Sequence, residues 1–309
     1  MALDFTTFDV FTTTPFQGNP LAIVQVPIGT HLSQDQKQLI AREFNLSETV
    51  FLHEQTAEDV RTRIARVDIF TPLAEVPFAG HPTIGTSNFL LHHLCLGSAR
   101  TLSMKAGLIA FKEKGGGAEV AVAHNVHIHR SPFAGTPYAH HPVKAMSTNL
   151  GLQTKVTFIL AQLPNLETLA QQTSNLVGAE NTYTARSSLD EPWRQGIVVS
   201  YFFVDLGTAS SARKLRTRSL GSREDPGTGS AASALCAFLS LREGAEGPAT
   251  KRYEIAQGVE MGRPNEIRVQ VTLSEDRKAV REILLSGHAV KVLEGRVLIP
   301  RAGVRVRPE

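Results

Sequence analysis

The chain has 309 residues, of which 42% are hydrophobic, 20% charged and 6% aromatic. This composition excludes an intrinsically disordered protein and, without a collagen-like period, a fibrous one. The net charge of +3 is too small to indicate a nucleic-acid surface, and no apolar run reaches the roughly 20 residues of a membrane span. We expect a globular protein of about two domains, without nucleic-acid or membrane partners.

The N-terminus and the cysteines indicate the compartment. The residues after Met1 lack the basic stretch and the apolar core of a signal peptide. Two cysteines, Cys95 and Cys236, are too few for a disulfide framework in a chain of this length. These features predict a cytoplasmic protein.

Short apolar runs alternate with turn residues along the N-terminal half. Ser33 and Gln36 form a predicted capping box for a helix over residues 34–44. A loop rich in Pro and Gly, residues 72–82, leads into a second helix over residues 82–94. Strands are predicted at residues 5–11, 21–26, 49–52 and 61–70, followed by a strand pair that ends near His129.

A concentration of prolines in residues 131–142 predicts a linker before the C-terminal half. Beyond it we expect helices at residues 163–172 and 230–241. Strands are expected at residues 156–160, 197–204, 214–220, 253–256, 266–273 and 282–285.

The two halves resemble each other at an offset of about 149 residues. Glu75-Val-Pro-Phe-Ala-Gly-His81 aligns with Glu224-Asp-Pro-Gly-Thr-Gly-Ser230, and each segment lies between a predicted strand and a predicted helix. The same offset places the opening strand over residues 156–160 and the strand at Thr49 over Val198. We therefore predict two pseudo-symmetric domains, residues 1–130 and 131–309, each a sheet around one apolar helix, with the alternative that the last strands cross back.

The two aligned helix starts, at Gly80 and Gly229, are suited to binding an anion. Free backbone N–H groups and the helix dipole both favour negative charge there, and glycine permits close approach of a ligand. Because the loops are equivalent, they predict a small carboxylate held between the two domains. The alternative is that the glycines only permit tight turns.

One carboxylate is placed for acid/base chemistry. Glu48 precedes the apolar strand at residues 49–52, where desolvation should raise its pKa. The alternative is a solvated glutamate at a strand end. His81 and Asp225, in the aligned loops, could orient Glu48 or relay its proton, or be a structural histidine and a turn residue. Ser230 is either a helix cap or a donor to a ligand.

Two competing motifs carry less weight. Gly227-Thr-Gly-Ser-Ala-Ala232 matches the dinucleotide fingerprint, but Pro226 precedes it and no strand leads directly into it. No carboxylate or cysteine stands at ligand spacing near the histidine-dense stretch, so we predict no metal site there. The histidines of this stretch are His124, His127, His129, His140 and His141.

The cysteines also restrict the chemistry. Cys95 and Cys236 both fall late in apolar predicted helices, which is typical of inert buried thiols. A racemase with two thiol bases would need cysteines in the loops that open the helices, and those loops contain none.

The ordered motifs of the chain resemble the phenazine-biosynthesis PhzF-like family, which has the diaminopimelate epimerase-like fold. The N-terminal half carries Asp9-Val-Phe-Thr, Pro15-Phe-Gln-Gly-Asn-Pro-Leu-Ala, Ser47-Glu-Thr-Val-Phe, Phe70-Thr-Pro and Pro77-Phe-Ala-Gly-His-Pro-Thr. The C-terminal half carries Glu224-Asp-Pro, Thr228-Gly-Ser-Ala, Gln257-Gly and Met261-Gly-Arg-Pro. Together these motifs cover nearly the whole chain.

The resemblance implies an α+β fold of two domains, each a rolled, mostly antiparallel sheet around a central helix, in a homodimer without cofactor or metal. It implies isomerisation of a small carboxylate, trans-2,3-dihydro-3-hydroxyanthranilate, by a proton shift with Glu48 as the acid/base. His81 and Asp225 complete the implied catalytic group. The residues implied to bind substrate are Asn19, Gly80, Thr228, Gly229 and Ser230.

The resemblance also leaves alternatives. Related epimerases have cysteines where this chain has Ala79 and Thr228, so two-cysteine epimerisation is not expected. Gly227 and the segment over residues 173–193 depart from the family pattern and leave the substrate open. The alternatives are an isomerase or epimerase of another small carboxylic or amino acid, and a non-catalytic homologue that binds small molecules.

Overall fold

The computed structural model describes residues 1–94, 99–122, 124–130, 144–149, 155–184, 186, 189–191, 193–244, 248–301 and 303. The predicted linker over residues 131–142 lies outside this part of the chain, as do His140, His141 and Cys95. Among the described residues, no helix combines the length and the hydropathy that crossing a bilayer requires.

Helices and many strands are interspersed along the described chain, which confirms the α+β class. The helices are α1 (Gln34–Phe44), α2 (Ala57–Thr62), α3 (Gly80–His92), α4 (Leu166–Ala170) and α5 (Gly229–Glu243), with a 3₁₀ helix at Ala179–Asn181. The first nine strands are β1 (Ala2–Val10), β2 (Asn19–Val26), β3 (Thr49–His53), β4 (Ile64–Phe70), β5 (Glu75–Val76), β6 (Thr101–Met104), β7 (Gly107–Lys114), β8 (Gly117–Ala121) and β9 (Val126–Ile128). The remaining strands are β10 (Lys144–Asn149), β11 (Lys155–Gln162), β12 (Ile197–Ala209), β13 (Ala212–Leu220), β14 (Glu224–Asp225), β15 (Thr250–Gln257), β16 (Asn265–Leu273), β17 (Val280–Gly287) and β18 (Ala289–Leu298).

The chain divides into two compact units. The first unit contains Met1–Val120 together with Gly287–Glu309, and the second is Ala121–Ser286. The division predicted from sequence, at residue 130, differs from this one over residues 121–130 and over the C-terminal segment. The C-terminal segment belongs to the first unit because β18 pairs with β1 along its length.

In the first unit, β1 lies antiparallel between β18 and β2. The chain then crosses through α1, so that β3 lies parallel to β2, and β4 returns antiparallel to β3. After β5 pairs with the end of β4, the chain crosses through α3 and β6 lies parallel to β4. Strands β6, β7 and β8 then follow as an antiparallel series.

In the second unit, β10 lies antiparallel between β9 and β11. Strand β12 is parallel to β11, with α4 in the connection, and β13 returns antiparallel to β12. After β14 pairs with the end of β13, the chain crosses through α5 and β15 lies parallel to β13. Strands β15, β16 and β17 follow as an antiparallel series.

Each unit has one helix enclosed by strands. Helix α3 contacts β1, β2, β3, β7 and β18, and α5 contacts β9, β10, β11, β15 and β16. Helix α3 contains no Asp, Glu, Lys or Arg, α5 carries charge only in Arg242 and Glu243 at its end, and neither has the single hydrophobic stripe of a surface helix. This accounts for the burial of residues 80–90 in α3 and of most of α5.

Close packing of α3 depends on a small residue. A Cβ at Gly85 would lie 2.5 Å from Leu21 Cδ2 and 2.9 Å from Val10 Cγ2, so only glycine permits this approach to β1 and β2. One turn later, the buried Asn88 amide donates to the carbonyl of Ile84 at 2.9 Å and to that of Gly287 at 3.2 Å. Helix α3 thus packs against β1 and β2 and is hydrogen-bonded to the C-terminal segment of the first unit.

Helix α2 corrects the strand predicted over residues 61–70. The Thr56 hydroxyl accepts the Asp59 N–H at 3.2 Å, and the Asp59 carboxylate accepts the Thr56 N–H at 2.9 Å. This reciprocal cap starts a helix that ends at Thr62, and Arg63 in the left-handed region terminates it. Strand β4 therefore begins only at Ile64.

Candidate active site

The position of Glu48 is determined by the end of α1. The predicted Ser33–Gln36 capping box is confirmed, and Asn45, with φ of 48°, ends the helix in the left-handed region. The chain then needs only three residues to enter β3, and Glu48 immediately precedes that strand. Its side chain is 18% exposed. Glu48 is thus a mostly buried carboxylate that solvent or a ligand can still reach.

His81 lies beside this carboxylate. It is the second residue of α3, its side chain is 3% exposed, and its Nδ1 is 3.4 Å from Glu48 Oε2. The N-cap residue of α3, Ala79, makes no side-chain cap, and the first turn contains no acidic residue. The helix start therefore keeps its positive electrostatic character next to Glu48.

Asn19 and Gly80 lie near the same end of the first unit's sheet. Asn19 is the fully buried first residue of β2, which is parallel to β3 with Ala22 opposite Thr49. Asn19 and Glu48 are therefore both found where these strands begin. Gly80 is the buried first residue of α3.

The turn before Asn19 is held by a carboxylate. Asp9, 3% exposed, accepts the N–H of Phe16 at 2.6 Å. Gly18 has φ of +71°, and a Cβ there would lie 2.3 Å from the Val10 carbonyl oxygen. The Asp9 and Gly18 motif positions thus shape the turn that leads to Asn19.

In the second unit, Asp225 and Thr228 are bonded to each other. The Thr228 hydroxyl donates to Asp225 Oδ2 at 2.5 Å, and Thr228 is the N-cap residue of α5 without capping the helix through its side chain. Gly229 is the buried first residue of α5, and Ser230 is the half-buried second residue. Ser230 is therefore inside the helix, and the expectation that it is the cap residue is wrong.

Gln257 organises this loop, a role that sequence reasoning missed. Its side chain is fully buried; Nε2 donates to the Asp225 carbonyl at 2.8 Å and to Thr228 Oγ1 at 3.0 Å. Its Oε1 accepts the Thr228 N–H at 3.2 Å and the Tyr201 hydroxyl at 2.9 Å. Gln257 belongs to the Gln257-Gly motif, so the signal was present, but nothing in the sequence linked it to Thr228.

Further buried groups support the same loop from behind. Asn265 Nδ2 donates to the carbonyls of Pro226 at 2.7 Å and Arg263 at 2.8 Å. Burial raises the pKa of the Tyr201 hydroxyl, which therefore remains a hydrogen-bond donor at all physiological pH values. The loop before α5 is thus held by a network of buried polar side chains.

The short strand β14 corrects the prediction that no strand leads directly into the segment that begins at Gly227. It ends at Asp225, directly before Pro226, so a strand does lead into Gly227-Thr-Gly-Ser-Ala-Ala232. That strand has two residues and is antiparallel to β13, whereas the dinucleotide fingerprint requires the parallel strand of a βαβ unit. The motif match is therefore still not supported by its structural context.

The cysteine that the structure describes is not placed for acid/base chemistry. Cys236 is fully buried in α5, and burial raises the pKa of its thiol well above the usual value. The residues immediately before the two enclosed helices are Ala79 and Thr228, neither of which carries a thiol. Of the predicted site residues, the structure joins Glu48 with His81 and Asp225 with Thr228 by direct contacts.

Comparisons with known proteins agree with these features. The family model described as phenazine biosynthesis-like protein matches residues 8–295. An uncharacterized isomerase of Pasteurella multocida is 33% identical, with 94% of this chain and 93% of that protein covered. The trans-2,3-dihydro-3-hydroxyanthranilate isomerase of Pseudomonas aeruginosa is 31% identical, with 96% and 99% covered.

A solved structure shows the same fold. The PhzF-family phenazine biosynthesis protein of Bacillus anthracis superposes with a TM-score of 0.74 at 22% identity, with 97% of this chain and 100% of that chain covered. The match of the family model over nearly the whole length, and the two relatives above 30% identity, lead to one conclusion. The chain belongs to the phenazine biosynthesis-like (PhzC-PhzF) protein family.

Proposed function

We propose that this protein is a cofactor-independent isomerase that shifts a proton on a small, unsaturated carboxylic acid, with Glu48 as the general acid/base. The observation that carries this proposal is the Glu48 carboxylate, 18% exposed, held 3.4 Å from the buried His81 at the start of α3. The isomerase names of the relatives from Pasteurella multocida and Pseudomonas aeruginosa support the reaction class. The substrate we propose is trans-2,3-dihydro-3-hydroxyanthranilate or a close analogue.

The proposed reaction needs no co-reactant. Glu48 accepts a proton from a carbon next to a double bond, and the electrons of the broken C–H bond move into the conjugated system. The protonated Glu48 then donates the proton to another carbon of that system, so that only the position of one hydrogen and the double bonds changes. His81 orients the carboxylate through the position of its Nδ1, 3.4 Å from Oε2.

Negative charge develops on the conjugated acid in this reaction. Backbone N–H groups at the starts of α3 and α5 are suited to stabilise such charge. Asp225, hydrogen-bonded to Thr228, completes the proposed catalytic group. We assign substrate binding to Asn19, Gly80, Thr228, Gly229 and Ser230.

We also propose that the two units are copies of one fold. The same order of pairings supports this: a parallel pair joined through a helix, an antiparallel return, a two-residue strand, and a second crossing through an enclosed helix. Glu48 stands in one copy, and the position at the same offset in the other is Ile197. The proposed active site is accordingly asymmetric, with one principal base. We further expect a homodimer, which light scattering during size-exclusion chromatography would detect.

The decisive experiment follows the reaction in D₂O. The purified protein is incubated with trans-2,3-dihydro-3-hydroxyanthranilate, and product and deuterium content are measured by NMR and mass spectrometry. We expect isomerisation, with deuterium in the product wherever the proton on Glu48 exchanges with solvent before it is returned. We also expect a loss of about 10²- to 10⁴-fold in Glu48→Gln, and no loss in Glu43→Gln. Glu43 is an exposed glutamate of α1 and serves as the matched control.

Three outcomes separate the alternatives. Folded wild-type protein that gives neither product nor deuterium incorporation would exclude this substrate. Exchange at the α-carbon of another small carboxylic or amino acid, dependent on Glu48, would favour the alternative isomerase or epimerase. Stabilisation by carboxylates without any exchange, and unchanged in Glu48→Gln, would favour a non-catalytic binding protein.

A further inference from the structure

Two histidines and an aspartate converge in the second unit, far from the proposed acid/base residues in sequence. His127 lies in β9, His129 follows directly after its last residue, and Asp190 reaches both histidines from the connection before β12. We propose that His127, His129 and Asp190 bind a divalent transition-metal ion of the Zn²⁺ class. This site is independent of the proposed isomerase reaction.

The distances between the donor atoms suit such an ion. His127 Nε2 lies 3.1 Å and His129 Nδ1 lies 3.8 Å from Asp190 Oδ2, and the three donor atoms all lie within 4.8 Å of one another. Tetrahedral zinc, with bonds of about 2.0–2.2 Å to N and O, separates neighbouring ligand atoms by about 3.3 Å. The donor atoms that lie farthest apart, up to 4.8 Å, would have to come about 1.5 Å closer, which small rotations of the two side chains can provide.

The hydrogen bonds of the cluster define its protonation. His129 Nδ1 accepts the backbone N–H of Asp190 at 3.0 Å, so this nitrogen carries no proton and its lone pair faces Asp190. His127 Nε2 contacts the carboxylate at 3.1 Å, which requires a proton on that nitrogen. Metal binding at Nε2 would move this proton to Nδ1 by exchange with solvent, so that the imidazole stays neutral, and the Asp190 N–H would lose its acceptor.

The surroundings fix two ligands in place. His129 is 2% exposed, and the backbone N–H of Arg130 donates to Asp190 Oδ2 at 3.1 Å. Trp193 stacks on the His127 ring, with centroids 5.4 Å apart and planes at 8°. The side chains of His127 and Asp190 are 34% and 24% exposed, which leaves a path for an ion from solvent.

The donor set favours particular metals. Two neutral imidazoles and one carboxylate leave one positive charge on a divalent ion and an open position for water. Imidazole ligands suit Zn²⁺, Ni²⁺ and Cu²⁺ and discriminate against Mg²⁺ and Ca²⁺, which prefer oxygen. A bound ion would cross-link β9 to the segment before β12, so we expect it to stabilise this part of the second unit.

The sequence alone argued against this site because no carboxylate stood near the histidines. Asp190 lies 61 residues after His129, a separation that no ligand-spacing rule covers. In the structure, β9, β10, β11 and β12 are consecutive neighbours in one sheet, so both segments belong to the same part of the second unit.

Trp193 provides the readout, since it is the one tryptophan of the sequence. The full-length protein, free of any affinity tag and treated with a chelator, is titrated with ZnCl₂ by calorimetry and with NiCl₂ by fluorescence. We expect one Zn²⁺ per chain and quenching of Trp193 emission by Ni²⁺. His127→Gln and Asp190→Asn should each weaken Zn²⁺ binding at least about tenfold.

His31→Gln removes an exposed histidine outside the cluster and should leave the affinity unchanged. The proposal is overturned if wild-type protein binds no Zn²⁺ below about 100 μM, or if both ligand variants bind as wild type does. If Asp190→Asn fails to fold, the test depends on His127→Gln alone. This variant should fold because glutamine can keep a hydrogen bond to Asp190. Ni²⁺ binding that leaves Trp193 emission unchanged would also contradict the assigned location.

Discussion

His81 Nδ1 lies 3.4 Å from Glu48 Oε2, and the two side chains differ sharply in exposure. The imidazole is 3% exposed, whereas the carboxylate is 18% exposed. The histidine therefore stands behind the carboxylate, on the side away from solvent. We therefore expect His81 to be a positioning residue and Glu48 to be the group that meets the substrate.

Substitution of His81 tests this division of roles. We expect His81→Asn to lower kcat by up to about 100-fold, because an unoriented carboxylate is misplaced for proton transfer, with a smaller effect on KM. The pH dependence of kcat/KM should also change, since Glu48 loses the imidazole that lies 3.4 Å from its carboxylate. Steady-state kinetics between about pH 5 and about pH 9 would measure both effects. An unaltered pH profile with normal kcat would show that His81 only supports the fold.

The buried amide of Gln257 gives a prediction about stability. Gln257→Leu removes the atom that accepts hydrogen bonds from the Thr228 N–H and from the Tyr201 hydroxyl. We expect the free energy of unfolding to fall by about 1–3 kcal/mol. Gln270→Leu, a half-buried glutamine of β16, is the control and should change stability by less than about 0.5 kcal/mol. Urea unfolding measures both variants. Equal losses in the two would mean that the Gln257 network contributes nothing specific.

Alanine substitutions at two glycines distinguish the cost of a positive φ from the cost of a steric collision. Gly258 and Gly262 have φ of +74° and +71°, but a Cβ at Gly258 would lie 2.5 Å from two backbone oxygens, and one at Gly262 would meet nothing within 4 Å. Gly262→Ala should cost about 1 kcal/mol or slightly more, from φ alone. Gly258→Ala should cost at least about 2 kcal/mol more than that, since neither oxygen belongs to a flexible side chain. Equal losses of stability in the two variants, measured by thermal unfolding, would refute this prediction.

A partly buried ion cluster predicts the acid sensitivity of the first unit. Lys37 Nζ and His53 Nε2 lie 2.6 and 2.8 Å from Asp68 Oδ2. Burial alone would raise the pKa of Asp68, but hydrogen bonds and charge from His53 and Lys37 outweigh it and lower that pKa. Stability from this carboxylate is therefore complete above the unfolded pKa of about 3.9 and is lost as pH falls through the lower, folded value.

Asp68→Asn should remove this stability at neutral pH, by about 2 kcal/mol or more, because Lys37 loses its counter-charge. It should also flatten the decline in unfolding free energy below about pH 5. Asp4→Asn, which removes an exposed pair with Arg296, should change stability by less than about 1 kcal/mol. A decline at low pH as steep in Asp68→Asn as in wild type would assign the acid sensitivity to other groups.

Much of the architecture could be predicted because local signals agreed with the fold. The capping box at Ser33 and the glycine-rich starts of α3 and α5 depend on neighbouring residues only, so sequence located them closely. The offset of 149 residues also pairs β4 with β13 and β5 with β14. It fails for the opening strand: β11 is parallel to β12 as β2 is to β3, so β2, rather than β1, occupies the equivalent place. The longer connection between β11 and β12 changes the offset there.

The features that sequence missed all depend on distant contacts or on competing signals. Gln257 acts through Thr228, which is 29 residues away, and Asp190 meets a histidine 61 residues away. Helix α2 was hidden because its residues adjoin a strong strand pattern, and its cap at Thr56 and Asp59 prevailed over that pattern. Local sequence patterns thus locate helix ends well, whereas the partners of buried polar side chains can be identified only once the fold is known.

The pairing of β1 with β18 also affects how the chain folds as it leaves the ribosome. The second unit is continuous in sequence and can fold once residue 286 has emerged. Strand β1 is synthesised before β18, so one of its edges stays unpaired until β18 has emerged. The nascent chain therefore exposes an open strand edge until residue 298 has left the ribosome, which makes the first unit dependent on protection from aggregation.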